Sequence, residues 1–437
     1  NLWKIIMEGI NIFWFRRDLR LYDNSGLSAA TSDKLKVLPI FIFDTSITNK
    51  LPENDRRINF IYDNLVEMDS ELKKKYNSSL NIFKGKPIEI FKELIANYKV
   101  NSVYTNNDYE PYAFSRDSSI KKLLESKKIQ FKSYKDHVVF EKNEVVKDDG
   151  NPYVVFTPYM RKWKTNLNED LTNLEEKKVL NNFYTKTISG LLDLNNYGFI
   201  ENDKKIESFK LNSEIVTKYA ETRNFPSINS TSKLGPYLRF GTVSVRKIVT
   251  GLLKFKDQTF LNEIIWREFF MQILFHFPHT STKSFKPKYD KIVWLDDPKS
   301  FDAWKNGETG FPLVDAGMKE LNKTGFMHNR VRMITASFLC KHLLIDWRLG
   351  EKYFALKLND YEMASNVGNW QWASGSGVDA APYFRIFNPH TQIVKFDKNR
   401  DYINKWLNTD SNDYPNEIID HKIARKRCLE TYKKYLD

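Results

Sequence analysis

Short apolar runs alternate with helical stretches over about the first 130 residues, and this alternation limits what the chain can fold into more than any other feature. Ile10-Asn-Ile-Phe-Trp-Phe15 predicts a buried strand. Residues 37–43 predict a second, ended by Asp44, with Pro39 blurring its start. Residues 80–83, 100–105 and 131–133 predict three more. Residues 57–76, 87–98 and 115–126 carry helical periods between them. Parallel strands need crossover helices, so this order predicts an open parallel α/β sheet. Such sheets bind ligands beyond the strand C-termini, where Arg16-Arg17-Asp18 and Asn106-Asn107-Asp108 fall.

From about residue 137 to 208 the period weakens while Lys and Asn rise. This stretch reads as a long linker with short helices, long enough to pack on its neighbours. After residue 209 strand signals vanish and helical periods dominate, with stops at Pro226, Pro278, Pro298 and Pro389. The expected organisation is an α/β domain over 8–136, a linker over 137–208 and an all-α domain over 209–437.

A net charge of +13 favours a polyanionic partner, nucleic acid foremost. A basic surface without a specific partner is the plain alternative. The aromatic content of 14% is high and invites a stacking role, although aromatics also fill cores. Cys340 and Cys428 cannot build a disulfide framework or a zinc cage, and a reducing, cytoplasmic compartment is the simplest reading. No apolar run is long enough for a transmembrane helix. The first residues lack a signal-peptide core, and Met7 is expected to be the natural start. A monomer without an obligate protein partner is expected.

Gly375-Ser-Gly-Val-Asp-Ala380 fits a dinucleotide pattern but follows a helical segment instead of a strand, so its context is wrong. No P-loop and no H-E-x-x-H is present, and the seven histidines lack metal-ligand spacing. NTPase and metalloenzyme readings lose support, and no metal is expected.

Other stretches combine residue types that a plain core does not need. Thr231-Ser-Lys-Leu-Gly-Pro-Tyr-Leu238 is a hydroxyl-rich turn with a cation, suited to a phosphate or to simple helix capping. Glu263, Trp266, Arg267 and Phe270 share one helix face, where an acid beside an indole could grip a flat ligand or form a rim ion pair. Asn329 with Met333, and Asn366 with Trp370, pair in the same way. A buried amide needs a partner, and a ligand edge or a backbone group would serve. Arg223, Arg330 and Arg385 are candidate phosphate contacts through their planar forks, or surface ion pairs.

Taken together, Trp14-Phe-Arg-Arg-Asp-Leu-Arg20, the 231–238 turn, Trp266-Arg-Glu268 and the whole 325–389 block resemble the photolyase/cryptochrome family. The similarity is greatest to class I cyclobutane pyrimidine dimer photolyases. The resemblance implies FAD in the helical domain. It implies that Tyr219, Thr231, Ser232, Lys233, Leu234 and Arg267 hold the phosphates and ribityl chain. Arg332 and Asp360 would pair beside the flavin ring, with Glu362 where an Asp is usual. Asn366 would face flavin N5, an arrangement that goes with a stable reduced flavin. Trp370, Trp347 and Trp294 fall at the spacing of an electron-transfer chain running outward from the flavin.

By the same resemblance the substrate is a dimer in UV-damaged DNA, flipped into the pocket at a cost of a few kcal/mol. Trp266 and Trp372 would wall that pocket. Glu263 and Asn329 would hydrogen-bond the pyrimidine edges, and Met333 would pack on the dimer. Arg223, Arg330 and Arg385 would hold phosphates without reading sequence. Asn329 and Met333 argue against the (6-4) lesion. Phe326 replaces a common Trp beside the flavin. Tyr112-Ala113 replaces an Asn-Glu pair used by folate-binding relatives, which disfavours a folate antenna and leaves a deazaflavin, a second flavin or none. The expected activity is light-driven dimer repair. The alternatives are a cryptochrome-type photoreceptor, a photolyase for another lesion, and a basic nucleic-acid-binding protein with a decayed cofactor site.

Overall fold

The computed structural model describes residues 9–168, 180–409 and 411–436. Met7 and residues 169–179 of the expected linker lie outside the described residues. The chain divides into two compact units. One takes in the chain to Glu141, Leu167–Glu207 and Gly235–Lys254; the other takes Lys142–Asn166, Ser208–Leu234 and Phe255–Asp437.

The first unit holds a five-stranded sheet, β1 (Ile10–Phe15), β2 (Lys36–Asp44), β3 (Asn81–Gly85), β4 (Val100–Asn106) and β5 (Gln130–Tyr134), in the order β3-β2-β1-β4-β5. All four pairings are parallel. The apolar runs are continuous because helices cover both faces of the sheet, as two buried clusters record. Pro39 sits inside β2 without breaking it. It falls in the gap between the Val37–Phe183 bridge and the first β2–β3 pair, Ile40 with Asn81, where no ladder pairing on that side needs its missing N–H. The helix expected from residue 115 starts earlier, at Pro111, because proline is well placed in a first helical turn.

The C-terminal edge of the sheet, expected to face a ligand, is filled by side chains that bind one another. Arg16 pairs with Asp117 at 2.5 Å, Arg17 with Asp108 at 3.0 Å, and Asn106 donates to Asp18 at 2.6 Å. Residues 235–254 return to this unit through buried ion pairs. Arg246 reaches Asp136 at 2.9 Å and Asp23 at 3.1 Å, while Arg20 also holds Asp136 at 2.7 Å. Gly241, at φ +62, lies so close to the Arg17 carbonyl that a β-carbon there would stand 2.0 Å from it.

The second unit has no strand after residue 209 among the described residues. Its central helix, Thr259–His276, is apolar on nearly every side and is accordingly wrapped by others. Three helices build the wall facing the cleft described below: Asn329–Ser337, Trp347–Lys357 and Met363–Ser374. Their common core contains Trp304, Trp347 and Trp370. Gly375 ends the last of them in a left-handed turn at φ +92. The glycine of the dinucleotide-like pattern is thus a helix C-cap. Cys340 and Cys428 are both buried and free. No described helix is long and apolar enough to cross a membrane.

Candidate active site

A cleft opens in the second unit. Its lining brings together Asn329, Arg332, Met333, Asp360, Glu362, Asn366, Trp370 and Trp372, eight residues scattered over 329–372 in sequence. Helical spacing does the work. Asn329 and Met333 lie one turn apart on their helix, as do Asn366 and Trp370 on theirs. Apolar walls with a few convergent polar groups suit an organic ligand.

The polar groups are oriented by their neighbours. Arg332 forms a two-point pair with Asp360 at 2.8 and 3.1 Å, and its Nε donates to the Met327 carbonyl at 2.7 Å. That arrangement uses the planar fork of arginine and fixes it in place. The Asn366 amide nitrogen donates to the Glu351 carbonyl at 3.1 Å and to its carboxylate at 2.9 Å. Both amide hydrogens are spoken for, so the oxygen remains as the acceptor for a donor on a bound group. Burial pushes the Glu351 carboxyl up, opposed by that hydrogen bond. Trp370 Nε1 is buried without a hydrogen-bond partner. An oriented acceptor and a fixed cation between apolar walls in one cleft fit a flavin.

Glu263, Trp266 and Arg267 stand on the central helix, outside the lining of this cleft. Glu263 is held by Arg223 at 2.5 Å. Burial raises its carboxyl above the usual range, and the Arg223 guanidinium opposes the rise. Arg223, read as a phosphate contact, therefore also serves as the counter-ion of Glu263, and its guanidinium lies 5.2 Å from the centre of the Tyr219 ring. Arg330 donates to Asn224 at 2.6 Å and lies 4.4 Å over the Phe396 ring. Arg385 lies 5.7 Å from the Phe387 ring.

Arg267 pairs with Glu362 at 3.0 Å, so the Glu standing where an Asp is usual still reaches a partner. In the 231–234 turn, Leu234 N donates to the Ser232 hydroxyl at 3.3 Å, Thr231 precedes it, and Lys233 adopts φ +57. The Lys233 ammonium lies 3.2 Å over the ring of Phe326. His328 caps its helix by accepting from Arg330 N through Nδ1 at 3.1 Å. Burial, then Arg332, Lys233, Arg330 and Arg223, hold it down to about 4, so it is neutral at physiological pH.

Trp347 and Trp370 are buried, and Trp294 is half-buried against the same core. Sequence reasoning missed Trp304, whose ring centre lies 6.1 Å from that of Trp370, and Glu351, which orients Asn366. Glu351 lies four residues after Trp347, on the same helix face, and that spacing was the available signal. It also missed Phe156, in the stretch read as linker, whose ring stacks on Trp266.

Sheet, helical unit and cleft together define a two-part protein built to hold a large planar cofactor. Comparison with known proteins gives that class its family. The model of the FAD-binding domain of DNA photolyase matches residues 260–411, and the DNA photolyase model matches residues 11–177. A deoxyribodipyrimidine photo-lyase of Alkalihalophilus pseudofirmus is 33% identical over 474 residues, covering 98% of each chain. A class III photolyase from Agrobacterium tumefaciens superposes with a TM-score of 0.87 at 32% identity, over 100% of this chain and 99% of that one. An archaeal photolyase from Sulfolobus tokodaii, solved with two FAD molecules, gives 0.84 at 32% identity over 97% and 99%. The chain belongs to the DNA photolyase family, and its helical unit carries that family's FAD-binding domain.

Proposed function

We propose that this protein repairs cyclobutane pyrimidine dimers in DNA under blue light, using FAD held in the cleft of the helical unit. The observation that carries the reading is the convergence of the Arg332–Asp360 pair and the oriented Asn366 oxygen in one apolar cleft, with Asn329, Met333, Trp370 and Trp372 on its wall. Arg332, Asp360 and Asn366 hold the flavin ring. Tyr219, Thr231, Ser232, Lys233, Leu234 and Arg267 hold the rest of the cofactor.

The chemistry supplied by bound, reduced FAD is light-driven electron donation that splits the cyclobutane ring and then recovers the electron. The chain's own residues do the recognition. Trp266 and Trp372 wall the flipped dimer and exclude water. Glu263 and Asn329 hydrogen-bond the pyrimidine edges, and Met333 packs against the rings. Arg223, Arg330 and Arg385 take the phosphates, which sets affinity but not sequence preference. Trp370, Trp347 and Trp294 would supply the path by which electrons reach a bound, oxidised flavin. A light-harvesting second chromophore is compatible with the reading. Folate is disfavoured at Tyr112, whose hydroxyl donates to Asp44 at 2.6 Å.

The test is blue-light repair of a dimer-containing oligothymidine by chemically reduced, flavin-loaded protein, followed by recovery of thymine absorbance against a dark control. Light-dependent recovery is expected. No recovery by protein carrying reduced FAD would overturn dimer repair in favour of another lesion or a photoreceptor role.

A further inference from the structure

The helix Phe156–Asn166 belongs to the helical unit and lies along the central helix Thr259–His276. Three of its side chains make the contact. The Trp163 indole donates to the buried Glu268 carboxylate at 2.6 Å, Tyr159 packs on Phe269 at 5.3 Å, and Phe156 lies flat on Trp266. The last pair is unusual in geometry. The ring centres are 3.7 Å apart and the planes only 6° from parallel. Aromatic quadrupoles disfavour such a face-to-face sandwich relative to an offset or edge-on pair. It persists only where the surroundings fix both rings.

Those surroundings are visible. Phe269 meets both rings edge-on, at 5.9 Å from Phe156 and 5.5 Å from Trp266. Phe270 packs against Trp266 at 5.4 Å. The Phe156 backbone N–H donates to the Asp379 carboxylate at 3.2 Å, which pins the start of its helix to the loop before Arg385. Phe156 itself is 8% exposed, whereas Trp266 keeps exposed surface. Phe156 thus stacks flat on the indole, Phe270 stacks on it at 29°, and a segment distant in sequence helps to set the indole plane.

We propose that Phe156 is a positioning residue for lesion recognition: it fixes the plane in which Trp266 meets the dimer. This rests on the assignment of Trp266 as a substrate contact made above. Without the Phe156 ring the indole can tilt about its side-chain torsions into the space left behind, and the pocket loses its defined wall. Phosphate contacts do not depend on the stack, so the loss falls on discrimination between damaged and undamaged DNA.

The experiment measures affinity for a dimer-containing and an undamaged oligonucleotide, together with FAD content, in the full-length holoprotein. Phe156→Ala is expected to weaken dimer binding about tenfold while undamaged-DNA affinity stays within about twofold. Phe156→Tyr, which keeps the ring, is expected to match the parent. In a Trp266→Ala background, Phe156→Ala is expected to add nothing. If Phe156→Ala loses FAD, Phe156→Leu fills the volume without the stack and takes its place. Equal loss of both affinities would reduce Phe156 to a structural role and overturn the inference, as would unchanged discrimination where Trp266→Ala abolishes it. If Trp266→Ala leaves discrimination intact, the assignment of the pocket itself fails, and Phe156 falls with it.

Discussion

Glu263 and Arg223 share one short ion pair, and the proposed function gives each a task toward the DNA. A phosphate that draws Arg223 away leaves a carboxyl that burial already favours in its protonated form. A protonated carboxyl can donate to a pyrimidine carbonyl, which a carboxylate cannot. Glu263→Ala is expected to lower repair per absorbed photon several-fold while DNA affinity changes by no more than about twofold, since phosphate contacts dominate binding and Arg223 remains. Quantum-yield measurements beside filter binding check this, and equal yield in variant and parent would sink the assigned role. Several of these contacts could be read from residue type and spacing alone. Asn366 with Trp370 and Asn329 with Met333 sit one helical turn apart, so their common face follows from the sequence. The Glu263–Arg223 pair could not be read that way, because Arg223 ends one helix and Glu263 stands on another, 40 residues apart.

At the scale of elements, close packing joins the cleft to the helices behind it. A β-carbon added to Gly350 would stand 2.2 Å from the Trp370 ring. Gly350→Ala is therefore expected to destabilise the helical unit by about 1–3 kcal/mol and to displace the indole nearest the cleft. Thermal denaturation together with light-driven flavin reduction checks both effects. The π-helical turn Phe338–His342 is tied to the helix His421–Leu436 by a 2.9 Å bond between His342 Nε2 and His421 Nδ1. Burial, then His421, Arg427 and His390, hold His342 down to about 3, against 6.5 when unfolded. The unfolded chain thus takes up the proton first. The stability contributed by neutral His342 is complete above pH 6.5 and is lost as pH falls toward 3. The loss is about 2 kcal/mol between pH 7 and pH 5. Denaturant melts should show that slope, and His342→Asn should flatten it; an unchanged slope would assign the titration elsewhere. Elements were legible in the sequence in proportion to the length of their periods. The first two strands were clear as apolar runs, and the shorter ones followed from their alternation with helices. The Phe156–Asn166 helix was not, because its apolar face is only Phe156, Tyr159 and Trp163, set among lysines and asparagines.

Across the whole molecule, the tryptophans form a feature that no single helix contains. Trp370 and Trp347 are buried, and Trp294 lies at the edge of their core. Trp370→Phe is expected to abolish light-driven reduction of the flavin while leaving repair by chemically pre-reduced protein nearly intact. Transient absorption of the oxidised protein checks the first half, and unchanged photoreduction kinetics would refute the path. The two-part architecture was legible because strand signals stop near residue 209. The membership of each part was less so. Residues 142–166 and 235–254 each lie, in sequence, beside segments of the unit to which they do not belong, and composition carries no record of which surface a segment will meet.

The same interleaving has a consequence for synthesis. Trp163 leaves the ribosome 105 residues ahead of Glu268, its buried partner. At translation rates of about 5–20 residues per second, the apolar face of the 156–166 helix waits roughly 5–20 s before the surface that covers it exists. During that interval the nascent chain displays Phe156, Tyr159 and Trp163 to whatever chaperone or neighbouring chain is at hand. The helical unit cannot close over this helix until the segment around Glu268 has been made.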